Sequence, residues 1–203
     1  MNVPHAPETG SPAEIEASLA AAAGATRGHF RYESGHHGDL WLDLDALFVD
    51  ARQARGWATA LARQAAACRP ALVCGPLTGG ALLAQAVAAE VGAAFCFAER
   101  VVSPSGAVRY SVPPSLRGLV PGRRLLLVDD AINAGSALLS TLADLGDRAQ
   151  VVGIACLLAL GARPLQIARE RGVPLYRLAA LDTALWAPAT CPLCASGMPL
   201  SGT

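Results

Sequence analysis

The chain has 203 residues, of which 53% are hydrophobic and 16% charged, and its formal net charge is zero. That balance fits one domain with a large core, excludes a disordered chain, and gives no electrostatic footprint for nucleic acid or an anionic membrane. All 16 basic residues are Arg, with no Lys in the chain. A Schiff-base lysine and a Walker-type phosphate lysine are therefore excluded, and any phosphate ligand must be met by Arg, backbone N–H groups and metal.

The first ten residues contain Pro and Gly and no helical or strand period. Neither a basic start nor an apolar run follows Met1, and no apolar run approaches transmembrane length, so a cytoplasmic protein is expected. Ser11-Pro12-Ala13-Glu14 is a capping box with Pro at the first helical position, predicting a helix to about Ala23. Two short strands, His29–Tyr32 and Leu40–Leu44, are expected to flank a polar turn over 33–39. Asp50 caps a second helix to about Cys68.

From there strands and helices alternate. Strands are expected at 71–74, 94–98, 124–128, 150–158 and 174–180, and helices at 80–91, 136–145 and 165–171. Between the second and third of these strands lies a polar segment, about 100–122, with Pro and Gly and a possible hairpin arm at 108–112. A segment of that kind inside a compact domain reads as a lid or binding loop. The alternation predicts an α/β domain with a parallel sheet flanked by helices. The tail from Trp186 has no period.

The richest stretch is Arg124-Leu-Leu-Leu-Val128-Asp129-Asp130-Ala131-Ile132-Asn133-Ala134-Gly135-Ser136-Ala137. Four apolar residues read as a buried strand, and function in parallel sheets sits at the carboxyl ends of strands. Asp129 and Asp130 can accept hydrogen bonds from vicinal sugar hydroxyls or hold Mg²⁺, directly or through water. The small residues Asn133–Ala137 let backbone N–H groups and a helix N-terminus meet a phosphate. Acids for ribose beside amides for phosphate make a ribose-5-phosphate site. A second loop, Gly75-Pro76-Leu77-Thr78-Gly79-Gly80, also joins a strand to a helix, and its glycines are expected to permit unusual backbone angles. It matches neither a Rossmann nor a Walker pattern.

Residues 128–137 resemble the phosphoribosyl diphosphate (PRPP) motif of type I phosphoribosyltransferases, and the Ala134-Gly135-Ser136-Ala137 ending is similar to that of orotate phosphoribosyltransferases. Gly28-His29-Phe30 with Ser34-Gly35, the 75–80 loop, Phe97-Ala98-Glu99-Arg100 and Cys191-Pro192-Leu193-Cys194 extend the resemblance over about 12–203. It implies the type I fold as a single domain over 1–203, with a small N-terminal hood (about 12–48), a core (49–185) and a tail (186–203). It implies transfer of a 5-phosphoribosyl group from PRPP to a nucleobase, orotate first, with Mg²⁺ as cofactor, in a homodimer. By the same resemblance the catalytic set is Asp129, Asp130, Arg100 and Arg109. Asn133, Ala134, Gly135, Ser136 and Ala137 hold the 5′-phosphate, and Gly75, Pro76, Leu77, Thr78, Gly79 and Gly80 the diphosphate. Phe30, Glu33, Ser34 and Gly35 meet the base, Phe30 being either a stacking platform or a core aromatic.

Two departures bear on the acceptor. The 99–118 segment has none of the lysines of the well-known bacterial loop, leaving Arg100, Arg109 and Arg117. Many orotate enzymes carry Asp-Arg after the strand that follows the PRPP motif, where this chain has Ala159-Leu160-Gly161. A type I enzyme for another base, or a non-catalytic PRPP or nucleotide sensor, therefore stands beside the orotate reading. The loop residues His36 and His37 are expected to be solvated. Cys191 and Cys194 form a lone C-x-x-C with no second ligand pair in view, so a metal-free thiol pair is expected.

Overall fold

The computed structural model describes residues 11–32 and 35–201. The expectations for Glu33 and Ser34 lie outside the described residues.

Helix α1 (Pro12–Ala22) starts at the expected capping box, with the Ser11 hydroxyl and the Glu14 carboxylate each accepting from the other's backbone N–H. Helix α2 (Ala51–Ala65) is capped by Asp50, whose carboxylate accepts from the N–H groups of Arg52 and Gln53. The core sheet is built from β3 (Leu72–Pro76), β4 (Ala94–Val102), β5 (Val108–Ser111), β6 (Arg124–Ile132), β7 (Gln150–Leu160) and β8 (Leu175–Leu181). Helices α3 (Gly79–Val91), α4 (Ser136–Leu145) and α5 (Arg163–Glu170) connect them.

Strand order is β5-β4-β3-β6-β7-β8, all parallel except the edge strand β5. The chain leaves β3 toward β4 on one side and later fills β6, β7 and β8 on the other. The point where the winding reverses is therefore between β3 and β6, and ligands in such sheets bind there, beyond the carboxyl ends of the strands.

Both faces of the sheet are covered, which is why β6 reads as an unbroken apolar run. Side chains alternate across it. Leu126 and Val128 enter the core shared with Leu19 of α1, Trp57 and Leu61 of α2, and Leu83 and Val87 of α3. Leu125 and Leu127 enter the opposite core, with Leu138, Leu142 and Leu145 of α4 and Ile167 of α5.

Several elements differ from expectation. β6 runs through the acid pair to Ile132 because its ladder with β7 continues past Asp129, pairing Ala131 with Leu158 and Ile132 with Ala159. The 100–122 segment opens as a hairpin: β4 extends to Val102 and pairs antiparallel with β5 around a turn at 103–107, where Gly106 takes φ +82°. The base of this hairpin is anchored on α4, since Ser140 Oγ accepts from Tyr110 N–H and Asp144 accepts from Val112 N–H and the Ser111 hydroxyl. Arg117 belongs to that anchor too, donating to Val112 O and Ser111 Oγ.

The hood is a three-stranded antiparallel sheet in the order β1-β2-β9. β1 is Thr26–Arg31, β2 is His37–Trp41, and β9, Leu185–Trp186, comes from the tail. β2 begins three residues before the predicted Leu40. Its polar start is paired on both sides, Arg31 with His37 on β1 and His37 with Trp186 on β9. Asp39 carries the link to the core: one carboxylate oxygen takes the Thr183 hydroxyl and the Ala184 N–H, the other the Arg27 guanidinium. Burial pushes this carboxyl up, but those three partners outweigh it and hold its pKa below the usual value.

Candidate active site

The reversal point of the sheet holds two adjoining clefts. One, of about 680 Å³, is lined by Asp129, Ala131, the loop Asn133–Ala137, and Tyr32, Arg100, Val108, Tyr110 and Leu185. The other, about 330 Å³, is lined by Pro76, Leu77, Thr78, Gly79 and Gly80, together with Leu44, Asp45, Asp129 and Asp130. Asp129 lies in the wall of both.

The acids are held close. The Asp129 carboxylate accepts from Asp130 N–H at 3.1 Å and that of Asp130 from Ala131 N–H at 2.7 Å. Among the described residues neither is in an ion pair. Burial first, and then the neighbouring Asp130, pushes the Asp129 carboxyl well above the usual carboxylate range. Asp130 is also raised, again by burial first, with Asp45 adding to the negative field. This is a site built for groups that donate to carboxylates: sugar hydroxyls or a hard divalent cation.

The glycines of the 75–80 loop act by close approach. None of Gly75, Gly79 and Gly80 has a positive φ, contrary to the expected unusual angles. A Cβ on Gly79 would lie 1.9 Å from Asp130 Oδ2, and one on Gly80 2.5 Å from Asp129 Oδ1. A Cβ on Gly75 would meet the Gly80 carbonyl oxygen at 2.2 Å. So Gly79 and Gly80 let the head of α3 sit against the two carboxylates. Gly75 is buried beneath that turn and does not line the cleft. The Leu77–Thr78 peptide bond is cis. In the other loop Gly135 does need its freedom: it takes φ +76° as the residue that starts α4, packed on Ile167.

The expected base and catalytic residues are placed unequally. Phe30 is 4% exposed and packs on Trp41 with ring centroids 5.8 Å apart, so it is the core aromatic and not a stacking platform. Gly35, at φ +79°, closes the turn outside the cleft. Tyr32, which sequence reasoning passed over, lines the cleft instead, its hydroxyl donating to Leu40 O. Strand parity gave no signal for it, since Tyr32, one residue beyond β1, falls on the same side as the buried Phe30. Arg100 and Arg109 are not brought together. Arg100 pairs with Tyr110 and faces the cleft with it, whereas Arg109 pairs with Val101 on the opposite face of the hairpin.

The histidine expectation fails at His37, while His36 is half-buried. His37 is buried, as is His29, and both converge on Cys191 and Cys194, supplying the second pair that the sequence did not reveal.

Paired acids between two glycine-bearing strand-to-helix turns, at the reversal point of a doubly wound sheet, define an α/β protein that handles a phosphorylated sugar. A profile of the phosphoribosyl transferase domain matches residues 48–171, and the chain belongs to that family. It is 31% identical to the orotate phosphoribosyltransferase of Methylobacterium sp., over 85% of each chain. It is 28% identical to that of Caldanaerobacter subterraneus subsp. tengcongensis, over 86% of this chain and 87% of the other. In fold it is similar to the orotate phosphoribosyltransferase of Aeropyrum pernix, with a TM-score of 0.63 at 23% identity, covering 82% of this chain and 93% of that one. The Mycobacterium tuberculosis orotate phosphoribosyltransferase solved in complex with PRPP gives a TM-score of 0.60 at 18% identity, covering 84% and 96%. Among the described residues no helix is long and apolar enough to cross a membrane.

Proposed function

We propose that the chain transfers the 5-phosphoribosyl group of PRPP to a ring nitrogen of orotate, forming orotidine 5′-monophosphate and diphosphate. The observation that carries this is the convergence of Asp129, Asp130 and the 76–80 and 133–137 turns at the reversal point of the sheet. Asp129 and Asp130 accept from the ribose hydroxyls. The amides and the Ser136 hydroxyl at the head of α4 hold the 5′-phosphate. The 76–80 turn holds the diphosphate, and Arg100, the cation lining the larger cleft, meets the charge that grows on the leaving group. Tyr32, in the hood wall, lies where the base would enter.

The two adjacent acids, Asp129 buried and Asp130 half-buried and neither in an ion pair among the described residues, fit Mg²⁺, which takes oxygen ligands and would neutralise the diphosphate when bound. Asp129 and Asp130 would hold it, directly, through water or through the ribose hydroxyls they bind. A homodimer completes the reading: Arg109, turned away from its own cleft, is assigned to the cleft of a second copy. Sedimentation should give twice the chain mass, and Arg109→Ala should lower turnover without moving that mass.

A specific observation keeps a second acceptor in play. The last residues of β7 are Ala159 and Leu160, both buried and apolar, where a cation for the orotate carboxylate would be needed. The test is loss of orotate absorbance with PRPP and Mg²⁺. Turnover supports orotate; no turnover at high enzyme concentration, with PRPP binding intact by calorimetry, rejects it. A panel of other bases then separates another acceptor from a non-catalytic sensor.

Two glycine substitutions distinguish loop packing from loop chemistry. Gly75→Ala drives a Cβ into backbone and should cost about 1–3 kcal/mol of stability, read from denaturant unfolding. Gly79→Ala meets side-chain atoms alone, the end of Asp130, which can rotate away, and Phe48 Cε2 at 3.1 Å, which must give by a few tenths of an ångström. It should fold normally and bind PRPP about tenfold or more weakly, about 1.4 kcal/mol, by calorimetry.

A further inference from the structure

We infer that His29, His37, Cys191 and Cys194 form a structural zinc site that ties the hood to the tail. Their four ligand atoms lie within 4.8 Å of one another. His29 Nε2 is 3.0 Å from His37 Nδ1, 3.5 Å from Cys191 Sγ and 3.6 Å from Cys194 Sγ, and Cys194 Sγ is 3.2 Å from His37 Nδ1. A tetrahedral Zn²⁺ with Zn–N of about 2.0–2.1 Å and Zn–S of about 2.3 Å sets nitrogen–nitrogen edges near 3.3 Å and nitrogen–sulfur edges near 3.6 Å. The measured edges cluster at these values, and the widest pair has at most about 1 Å to close.

Hydrogen bonding alone does not account for the convergence. His29 Nδ1 is 2.8 Å from the Met198 carbonyl oxygen, so Nδ1 carries the ring proton and Nε2 presents a lone pair. Three atoms, His37 Nδ1 and two sulfurs, crowd that one lone pair. One acceptor cannot take all three, and the other pairing, Cys194 Sγ donating to His37 Nδ1, leaves two nitrogen lone pairs facing each other at 3.0 Å, whereas a metal at the common centre takes a lone pair from each of the four. The Met198 carbonyl is also the kind of outer partner that orients a ligating imidazole.

The donor set selects the ion. Two nitrogens and two thiolates in a closed tetrahedron suit Zn²⁺ and leave no position for a substrate or water, so the site is structural. Both ligand pairs are local, His29 and His37 across the hood hairpin and Cys191 and Cys194 across the first turn of α6 (Pro192–Ala195). The metal joins the two pairs. It pins the turn that carries Tyr32 to the chain's last described segment, where Ser201 N–H also reaches His29 O at 2.7 Å.

The experiment is metal analysis of the full chain purified without chelator, followed by replacement with Co²⁺. The expected results are one zinc per chain, and for the cobalt form the visible bands of a tetrahedral ion with a thiolate charge-transfer band. Cys194→Ser, at the exposed ligand, should lose the thiolate band in part, and Cys191→Ser with Cys194→Ser should lose zinc and band together. Should the double variant not fold, chelation of the wild-type chain gives the same reading: the unfolding midpoint should fall by roughly 5–15 °C and recover with Zn²⁺ alone. A chain without zinc that gives no cobalt spectrum, a Cys191–Cys194 disulfide in reduced preparations, or full zinc retention in the double variant would overturn the site. None of these readouts depends on phosphoribosyl transfer, so the site and the proposed reaction fail separately.

Discussion

Changing Asp129 and Asp130 together to Asn should abolish detectable PRPP binding while leaving the fold as stable as the wild type or more so. The binding loss follows from the role of the two carboxylates as acceptors. A hydrogen bond to a charged group is worth about 1.5–3 kcal/mol, so two of them amount to about 3–6 kcal/mol. In Kd that is about 10²–10⁴-fold. The gain in stability follows from what the same acids cost the empty protein. They sit side by side, Asp129 buried and Asp130 half-buried, with no ion pair among the described residues, and desolvation raises both carboxyl pKa values. A carboxyl that holds its proton more tightly when folded makes the protein less stable as pH rises above the unfolded value of about 3.9. The amide variant has no such fall. Its unfolding midpoint, compared with the wild type without ligand, should gain between about pH 4 and neutrality. Calorimetric titration with PRPP and thermal unfolding across that range check both halves. Retained affinity would remove these acids from the donor site, and a large loss of midpoint at neutral pH would make them structural.

What could be read before the structure divides along sequence distance. The apolar run Leu125–Val128 identifies a strand buried on both faces, and Gly135-Ser136 marks the start of α4 to the residue, because backbone freedom and helix capping are local properties. The core of the PRPP-like site was legible for the same reason, since two short segments carry it. That Arg109 turns away from the cleft Arg100 faces was not legible, because the facing of a hairpin residue depends on register, and the pairing of Arg100 with Tyr110 sends residue 109 the other way. Phe30 and Tyr32 alternate with Arg31, so nothing local decides which aromatic is buried. The answer comes from Trp41 across the hairpin. The Cys/His cluster is the extreme case. More than 150 residues separate the histidines from the cysteines, and only the tail's return along β2 brings them together. The strand ends were underestimated at β4 and β6 because hydropathy marks where the core stops, whereas ladder hydrogen bonds run on into polar residues.

Arg100→Ala should lower kcat by about 10²–10³-fold and KM for PRPP far less, the loss expected when a donor acts chiefly on charge that develops in the transition state. The reaction moves electrons onto the departing diphosphate oxygen. The catalytic demand is therefore for a fixed positive group near that oxygen in a cleft that sheds water. Among the described residues lining the larger cleft Arg100 is the cation, and the chain has no lysine to deputise. It stands on β4, where the hairpin leaves the sheet, held by pairing with Tyr110 while α4 anchors β5 through Ser140 and Asp144. A guanidinium placed this way is positioned by backbone ladder and not by a flexible loop. Arg100→Lys should then recover only part of the activity, because an ammonium keeps the charge but loses the planar two-point contact with phosphate oxygens. Arg109→Ala, read in the same steady-state assay, should depend on the second copy: its effect should fade on dilution below the dimer's dissociation constant, while that of Arg100→Ala should not. Equal losses of kcat in the two variants at every enzyme concentration would count against this division of labour across the hairpin.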